Sequence, residues 1–300
     1  MQKTPFETIL CQKPDIPSLR SEGYTLTDMH LHTRHSDGLT KIPDLLKYAK
    51  KMQISIAITD HNEISGVLKA YELLKEQPKS AREDLIIIPG TELETKEGPH
   101  LLMYFYTTGD LESYFEDFKK ERRKLSRTMT KNLPVIDCLT LAENYDCLRV
   151  AAHPFGYYGI DRGVLKCVKN GKLPGVMEHL DGIEAICGGM MRGLNNKSIL
   201  YAKNHNIPFT GGSDAHVTGS IGDVLTGTFA GSVEEHLNAV KKRENIVIGH
   251  SGNPAYKGAT AGVIAWSFVP FTKTFLTAHC KAGKENIRSA AGRIRHSPKK

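Results

Sequence analysis

TDMHLHTRHSDG, at residues 27–38, contains three histidines and two aspartates in twelve positions. Side chains alternate between the two faces of a strand, so a strand here carries Asp28, His30 and His32 on one face. The turn signal Ser36-Asp37-Gly38 ends this strand and brings Asp37 back toward it. Two interpretations stay open at this point. The stretch supplies ligands for a divalent transition metal, or it is a polar strand face followed by an ordinary Asp-Gly turn.

Apolar runs and helical segments alternate along the rest of the chain. Strands are predicted at 24–32, 54–59, 85–89, 101–106, 148–152, 182–187 and 207–210, with weaker ones at 224–229 and 246–249. Helices are predicted at 41–52, 63–77, 111–130, 193–205 and 233–243, with Pro43 and Ser232 marking two of the helix starts. This alternation predicts parallel βα units, and hence an α/β fold that is either a doubly wound sheet or a barrel.

Composition indicates an ordinary globular protein of a reducing compartment. The chain is 40% apolar and 24% charged, and its first fifteen residues contain no apolar run of signal-peptide length. Six cysteines without a C-x-x-C pair are expected to be free thiols. We therefore expect a cytoplasmic location, neither disulfides nor a sulfur-ligated zinc site, and no transmembrane segment, because the apolar stretch 258–272 is too short to span a bilayer.

The positive charge is confined to one end of the chain. Residues 271–300 hold eight basic residues and one acidic residue, a surplus of seven that equals the net charge of the whole protein, +7. Such a tail is either a solvated end or a weak electrostatic contact for nucleic acid or an anionic membrane. The simplest division is an N-terminal extension at 1–23, one domain at 24–255, and a C-terminal segment with the basic tail at 256–300.

Acidic and histidine side chains recur where the predicted strands end. His61 follows the second strand, Glu92 the third and His153 the fifth, and GGSDAH after the seventh contains Asp214 and His216. His100, at the start of the fourth strand, is the exception. The carboxyl ends of barrel strands meet at one mouth, where catalytic groups collect. Each residue has an ordinary structural explanation when taken alone, such as a helix cap or a turn, but the whole set predicts a metal site. The remaining seven histidines show no such placement.

The ordered motifs DMHLHT, SDG, TDHN, PGTELE, HLL, AHP and GGSDAH resemble the PHP (polymerase and histidinol phosphatase) superfamily of metal-dependent phosphoesterases over residues 26–220. The resemblance implies a distorted, TIM-like (β/α)7 barrel that binds two or three divalent ions, with manganese, zinc or iron as the expected metals. It implies a first ion held by His30, His32 and Asp214, with Glu92 bridging to a second held by His100 and His153. Asp37, His61 and His216 would hold the third, while Asp28 and Asp60 would orient imidazoles from behind the ligands.

The implied chemistry is hydrolysis of a phosphate ester by a hydroxide that bridges two metal ions. Glu92, Asp214 and His216 are the expected catalytic residues, and either His216 or a metal-bound water would protonate the leaving group. Arg34, Arg162 and Arg192 are candidate phosphate contacts. The chain departs from relatives after AHP, and it has EAICGGMMRG where relatives often have an EVYNGR-like stretch. Both departures are expected to affect substrate contacts and to leave the metal ligands untouched.

Aspartate at position 37, where some members have histidine, resembles the subgroup that acts on nucleotides and oligonucleotides. The expected substrate is therefore a nucleotide or an oligonucleotide end. The alternatives are a small phosphomonoester, as in histidinol phosphatases, and a metal-binding PHP module without catalytic activity. A filled set of ligand positions favours an enzyme over such a module.

Overall fold

The computed structural model describes residues 8–78, 85–125, 132–156 and 162–251. All of them belong to the first of two units into which the chain divides, Met1–Lys257 and Gly258–Lys300. The basic tail and the apolar stretch 258–272 lie outside the described residues, so the expectations for them stay predictions, as does the domain division. In the described part of the chain, no helix is long and apolar enough to cross a membrane.

Ten strands and eight α-helices alternate along these residues. The strands are β1 Ile9–Leu10, β2 Thr25–Leu31, β3 Ser55–Ile58, β4 Ile87–Glu94, β5 His100–Phe105, β6 Cys147–Ala151, β7 Gly182–Cys187, β8 Phe209–Gly212, β9 Val224–Thr228 and β10 Ile246–Gly249. The helices are α1 Ile16–Ser21, α2 Ile42–Met52, α3 Ser65–Lys75, α4 Thr108–Lys124, α5 Val135–Ala142, α6 Val164–Lys169, α7 Arg192–His205 and α8 Val233–Lys242.

One curled sheet contains all ten strands, in the order β1-β10-β9-β2-β3-β4-β5-β6-β7-β8. Strands β2 to β8 follow one another in chain order, and the far ends of this series meet. The amide of Asp214 donates to His30 O at 2.7 Å, and the amide of His32 donates to Ala215 O at 2.9 Å. These seven strands form the expected TIM-like barrel arrangement, while β9, β10 and β1 extend the sheet beyond β2.

The predicted parallel βα units are interrupted at β5, which runs antiparallel to both β4 and β6, and at β9, which runs antiparallel to both β2 and β10. Only five residues, 95–99, connect β4 to β5, which is too short for the crossover that a parallel pair needs. The reversal explains why His100 starts its strand. It lies opposite Glu94, at the edge where the parallel strands end.

Helix prediction succeeded for the long elements and failed for short ones. The helices expected near 41–52, 63–77, 193–205 and 233–243 are α2, α3, α7 and α8 with shifts of one or two residues, and Ser232 caps α8 by accepting from Glu235 N at 3.2 Å. Part of the expected 111–130 lies outside the described residues. The helices α1, α5 and α6 were missed because six to eight residues show too little of the 3.6-residue period.

Candidate metal centre

Glu92 lies at the centre of the cluster and is 1% exposed. Its Oε1 is 2.9 Å from His100 Nδ1 and 3.1 Å from His153 Nε2. Its Oε2 is 3.2 Å from each of His30 Nε2, His32 Nε2 and His61 Nδ1. Five imidazole rings, carried by or following β2, β3, β5 and β6, therefore surround a single carboxylate.

Asp214 closes the cluster from the β8 side. Its Oδ1 is 3.3 Å from His32 Nε2 and 3.6 Å from His30 Nε2. The residue adopts a left-handed backbone with φ 54°, which aspartate tolerates better than most side chains. Gly189 allows this approach, because a Cβ atom there would overlap Asp214 Oδ2.

Asp37 and His216 form the outer part of the cluster. His216 Nδ1 lies 3.0 Å from the carbonyl oxygen of Asp214 and must donate to it, which leaves Nε2 facing Asp37 Oδ2 at 3.2 Å. Asp37 Oδ2 is also 3.7 Å from His61 Nε2. The side chains of Asp37 and His61 are 22% and 18% exposed, more than the rest of the cluster. Solvent therefore reaches the cluster from their side.

The cluster has the donor set and the geometry of a site for divalent cations. Among the described residues, ligand atoms lie within 4.8 Å of one another in four groups: His30, His32 and Glu92; His30, Glu184 and Cys187; His61, Glu92 and His100; and His32, Asp37, His61 and His216. Within the part of the chain that the structure describes, the buried Nδ1 atoms of His32 and His61 make no hydrogen bond, although His61 Nδ1 lies 3.2 Å from Glu92 Oε2. His30 Nε2 and His32 Nε2 are only 3.3 Å apart, and a cation between them would accept both lone pairs.

Charge coupling in the cluster shifts protonation strongly. Burial opposes the charged form of His32, but hydrogen bonds with Asp214 and Glu92 raise its pKa to about 10. Burial lowers the pKa of His61 to about 3. Burial also opposes ionisation of Glu92, yet the imidazoles around it, His61 first, hold its pKa well below the usual value. A cation bound through His32 Nε2 would therefore have to displace a proton that Asp214 and Glu92 stabilise.

Asp28 and Asp60 are buried behind the cluster, but neither carboxylate contacts an imidazole. Asp28 accepts from Ser213 N at 2.9 Å, Ser213 Oγ at 2.5 Å and Gly222 N at 2.8 Å. Asp60 accepts from Thr33 N, Thr33 Oγ1 and Ser36 Oγ, each at 2.7 Å. Both carboxylates hold the loops that carry Asp214 and Asp37, and Asp28 also accepts from the backbone amide of His30 at 3.3 Å. Their expected part in orienting imidazole rings stays a prediction.

Glu184, an acid that is 1% exposed in the middle of β7, was not predicted from the sequence as a site residue. Its carboxylate is 3.0 Å from His30 Nδ1 and 2.7 Å from the amide of His153. On the same strand, Cys187 Sγ lies 3.6 Å from Asp214 Oδ2. A charged residue within the apolar run GIEAIC was the available signal. The EAICGGMMRG stretch, where the chain departs from its relatives, thus lies directly against the predicted ligands His30 and Asp214.

The three arginines occupy different places around the mouth. Arg34 is exposed on the loop after β2, the loop that also carries Asp37. Arg162 is partly buried, and its carbonyl oxygen accepts from His100 N at 3.3 Å. Arg192 is exposed at the start of α7. None of the three contacts the cluster through its guanidinium within the described residues.

Histidines that were left out of the predicted site lie outside the cluster wherever the structure describes them. His35 Nδ1 pairs with Ser65 Oγ at 2.7 Å, and His179 Nδ1 with Glu143 at 2.6 Å.

A cavity of about 810 Å³ is lined by Tyr24, Phe209 and Ile246, among others, at the ends of strands where β8 and β10 begin. None of its lining residues is a histidine, so it offers no comparable ligand set.

Comparison with known proteins places the chain in a family. The model of the PHP domain matches residues 28–205, and that of a PHP-associated region matches residues 192–245. No match was found among curated protein sequences.

Solved structures share the fold at low identity. The lesion-specific endonuclease Q of Pyrococcus furiosus is 19% identical with a TM-score of 0.54, covering 75% of this chain and 57% of its own. An endonuclease Q complexed with a 27-mer duplex containing an abasic lesion is 18% identical with a TM-score of 0.56, covering 76% of this chain and 60% of its own. A two-domain Bacteroides vulgatus protein containing a PHP-like metal-dependent phosphoesterase is 18% identical with a TM-score of 0.51, covering 80% of this chain and 68% of its own.

The family model spans more than half of the sequence and includes seven of the nine predicted ligands, all but Asp214 and His216. We conclude that the chain belongs to the PHP family.

Proposed function

We propose that this chain is a metal-dependent phosphoesterase that hydrolyses phosphate esters of nucleotides or of oligonucleotide ends. The observation that carries the proposal is the convergence of five imidazoles on the buried carboxylate of Glu92. Such an arrangement is costly without cations, because buried nitrogens such as His32 Nδ1 and His61 Nδ1 remain without hydrogen bonds.

We assign the ligands to three positions. His30, His32 and Asp214 would hold the first ion, and Glu92, His100 and His153 would hold the second. Asp37, His61 and His216 would hold the third, and the proximity of His32 to these three residues supports adding it to this group. Imidazole and carboxylate ligands together suit manganese, zinc or iron better than calcium or magnesium. When bound, such ions supply Lewis-acid activation of water and of the phosphoryl group.

The remaining residues of the site bind and orient the substrate. The exposed edge at Asp37 and His61 is the side on which a phosphate ester approaches. Arg34 stands on the same loop as Asp37, so its guanidinium is the first candidate for contact with the phosphate oxygens. Arg162 and Arg192 are further candidates for contact with the phosphate, on the side of the substrate away from Arg34. Asp214 and Glu92 act by holding ions, and the His216 ring is fixed by its bond to the Asp214 carbonyl.

Nucleic-acid substrates are favoured by two observations. The Asp37 carboxylate, rather than an imidazole, faces His216 and His61 at the mouth. Aspartate at this position is what we expect for the subgroup that acts on nucleotides and oligonucleotides. The fold is shared with an endonuclease Q that was solved with a DNA duplex. A small phosphomonoester remains the second substrate class to test.

The test is phosphate release by the manganese-loaded protein with a panel of substrates. The panel contains p-nitrophenyl phosphate, a nucleoside 3′,5′-bisphosphate, a short 5′-phosphorylated RNA and histidinol phosphate. The control is Asp214→Asn, because asparagine also tolerates the left-handed backbone at this position. We expect the wild-type protein to release phosphate from the nucleotide substrates and the Asp214→Asn variant to lose this activity. A preference for histidinol phosphate would change the proposed substrate from a nucleotide to a small phosphomonoester. Metal-bound protein that turns over none of the substrates would indicate a non-catalytic module.

A further inference from the structure

Glu184 is a buried acid in a strand whose other residues are apolar or glycine. It lies between Ile183 and Ala185 in β7, and all three residues are almost fully excluded from solvent. Burying a carboxylate is unfavourable unless hydrogen-bond donors replace the lost water. The contacts of Glu184 therefore indicate why the fold retains a charge at this position.

One oxygen of Glu184 fixes the ring of His30. Oε1 is 3.0 Å from His30 Nδ1, while the opposite nitrogen, Nε2, points toward Glu92 and Asp214. A proton on Nδ1 that is donated to Glu184 leaves the lone pair on Nε2 available to a cation. Carboxylates placed in this way set the tautomer and the orientation of metal-binding histidines.

The other oxygen of Glu184 fixes the backbone of His153. The amide of His153 can only donate, and it lies 2.7 Å from Oε2. This residue has φ 28°, a region that non-glycine residues rarely occupy and that surrounding contacts must maintain. The same residue presents its ring nitrogen Nε2 to Glu92 Oε1 at 3.1 Å.

We propose that Glu184 is a positioning residue that fixes His30 and His153 together and thereby supports the first and second ion positions at once. The proposal rests on the metal-binding function proposed above. It concerns a residue outside the expected ligand set, on a strand that contributes no ligand to that set. The third position, at Asp37, His61 and His216, does not contact Glu184 and serves as an internal reference.

The experiment is calorimetric titration of the metal-free protein with Mn²⁺, comparing wild type with Glu184→Gln. Glutamine keeps the shape but places an amide against one of two donors. We expect affinity at two positions to fall about 10–100-fold, the range seen for residues that support metal ligands, while the third keeps its affinity. The matched control is Glu143→Gln, which removes a carboxylate that also pairs with a histidine Nδ1, at 2.6 Å on His179, far from the cluster.

A spectroscopic readout separates positioning from general stability. Long-range ¹⁵N–¹H correlation spectra of the zinc-loaded protein should show a His30 ring protonated on Nδ1 in wild type and a changed ring signal in Glu184→Gln. Glu184→Asp keeps the charge with a shorter reach, so it should restore part of the Mn²⁺ affinity, and it replaces the first variant if that one does not fold.

Equal Mn²⁺ affinity in Glu184→Gln, Glu143→Gln and wild type would overturn the proposal. A loss at only one position would also contradict it, because the two ligands would then not depend on the same carboxylate. A wild-type protein that binds no Mn²⁺, Zn²⁺ or Fe²⁺ would instead remove the proposed function itself, so the two failures are distinguishable.

Discussion

Glu92 illustrates how a single residue can organise the whole site, because its two oxygens lie within 3.2 Å of five imidazole rings. Glu92→Gln removes the negative charge and turns one acceptor into a donor. We expect phosphate release to fall by more than about 100-fold, beyond the ~10–100-fold typical of residues that only support ligands. Steady-state kinetics with and without added Mn²⁺ check this, and activity close to that of Glu143→Gln would contradict it.

Arg34 offers a second test at the residue scale. A charge-assisted hydrogen bond to phosphate is worth about 1.5–3 kcal/mol, so Arg34→Ala should raise KM about 10-fold or more with a smaller effect on kcat. Arg34→Lys should restore only part of the affinity, since lysine cannot form two parallel hydrogen bonds. Arg123→Ala, on the exposed side of α4, is the control. An unchanged KM in Arg34→Ala would show that this arginine does not contact the substrate.

Residue-scale prediction worked where partners are close in sequence or share a motif. His30 and His32 were predicted together because strand alternation puts them on one face. The role of Asp28 could not be read in this way, since its main partner, Ser213, is 185 positions away. Glu184 was missed because a single acid in an apolar strand gives no sign of which side chains lie opposite it.

At the scale of secondary structure, the ends of strands determine the site. Parallel strands carry their ligands at the carboxyl end, and antiparallel β5 carries His100 at its start. The direction of β5 follows from the five-residue connection before it, so the sequence contained the necessary signal. The short helices α1 and α6 had no comparable signal, because six residues complete fewer than two turns.

Helix α8 provides a pH-dependent prediction that is independent of the metal cluster. His236 is fully buried, pairs with Thr228 Oγ1 at 2.7 Å, and burial lowers its pKa to about 4 from a usual 6.5. His236 therefore becomes protonated below pH 6.5 in the unfolded chain, but only below about pH 4 in the folded chain. This contribution to stability is complete above pH 6.5 and is lost as the pH falls.

The expected loss from His236 between pH 7.5 and pH 5.5 is about 1.4 kcal/mol. His236→Asn keeps a partner for Thr228 and removes the titration, so its free energy of unfolding should fall by about that much less over this interval. Urea denaturation at the two pH values measures the difference. Parallel pH dependence in both proteins would show that folding does not lower the pKa of His236.

At the scale of the whole molecule, the charge distribution makes a separate prediction about substrate binding. Residues 271–300 contain the entire excess of positive charge. Each phosphate that such a tail neutralises on a single strand adds about 0.7 to the slope of log affinity against log salt. Deleting these residues should weaken oligonucleotide binding at low salt and reduce that slope, as measured by fluorescence anisotropy. The same slope in both proteins would exclude the tail from binding.

The central claim is that the cluster around Glu92 is a metal-dependent hydrolytic centre. It is tested most directly by adding Mn²⁺ stepwise to the metal-free protein and following phosphate release from a 5′-phosphorylated oligonucleotide, with Asp214→Asn in parallel. We predict that turnover rises as ions bind, saturates once two or three are bound per chain, and is lost in Asp214→Asn. A folded wild-type protein that binds its ions without releasing phosphate, or an Asp214→Asn variant as active as wild type, would contradict the account.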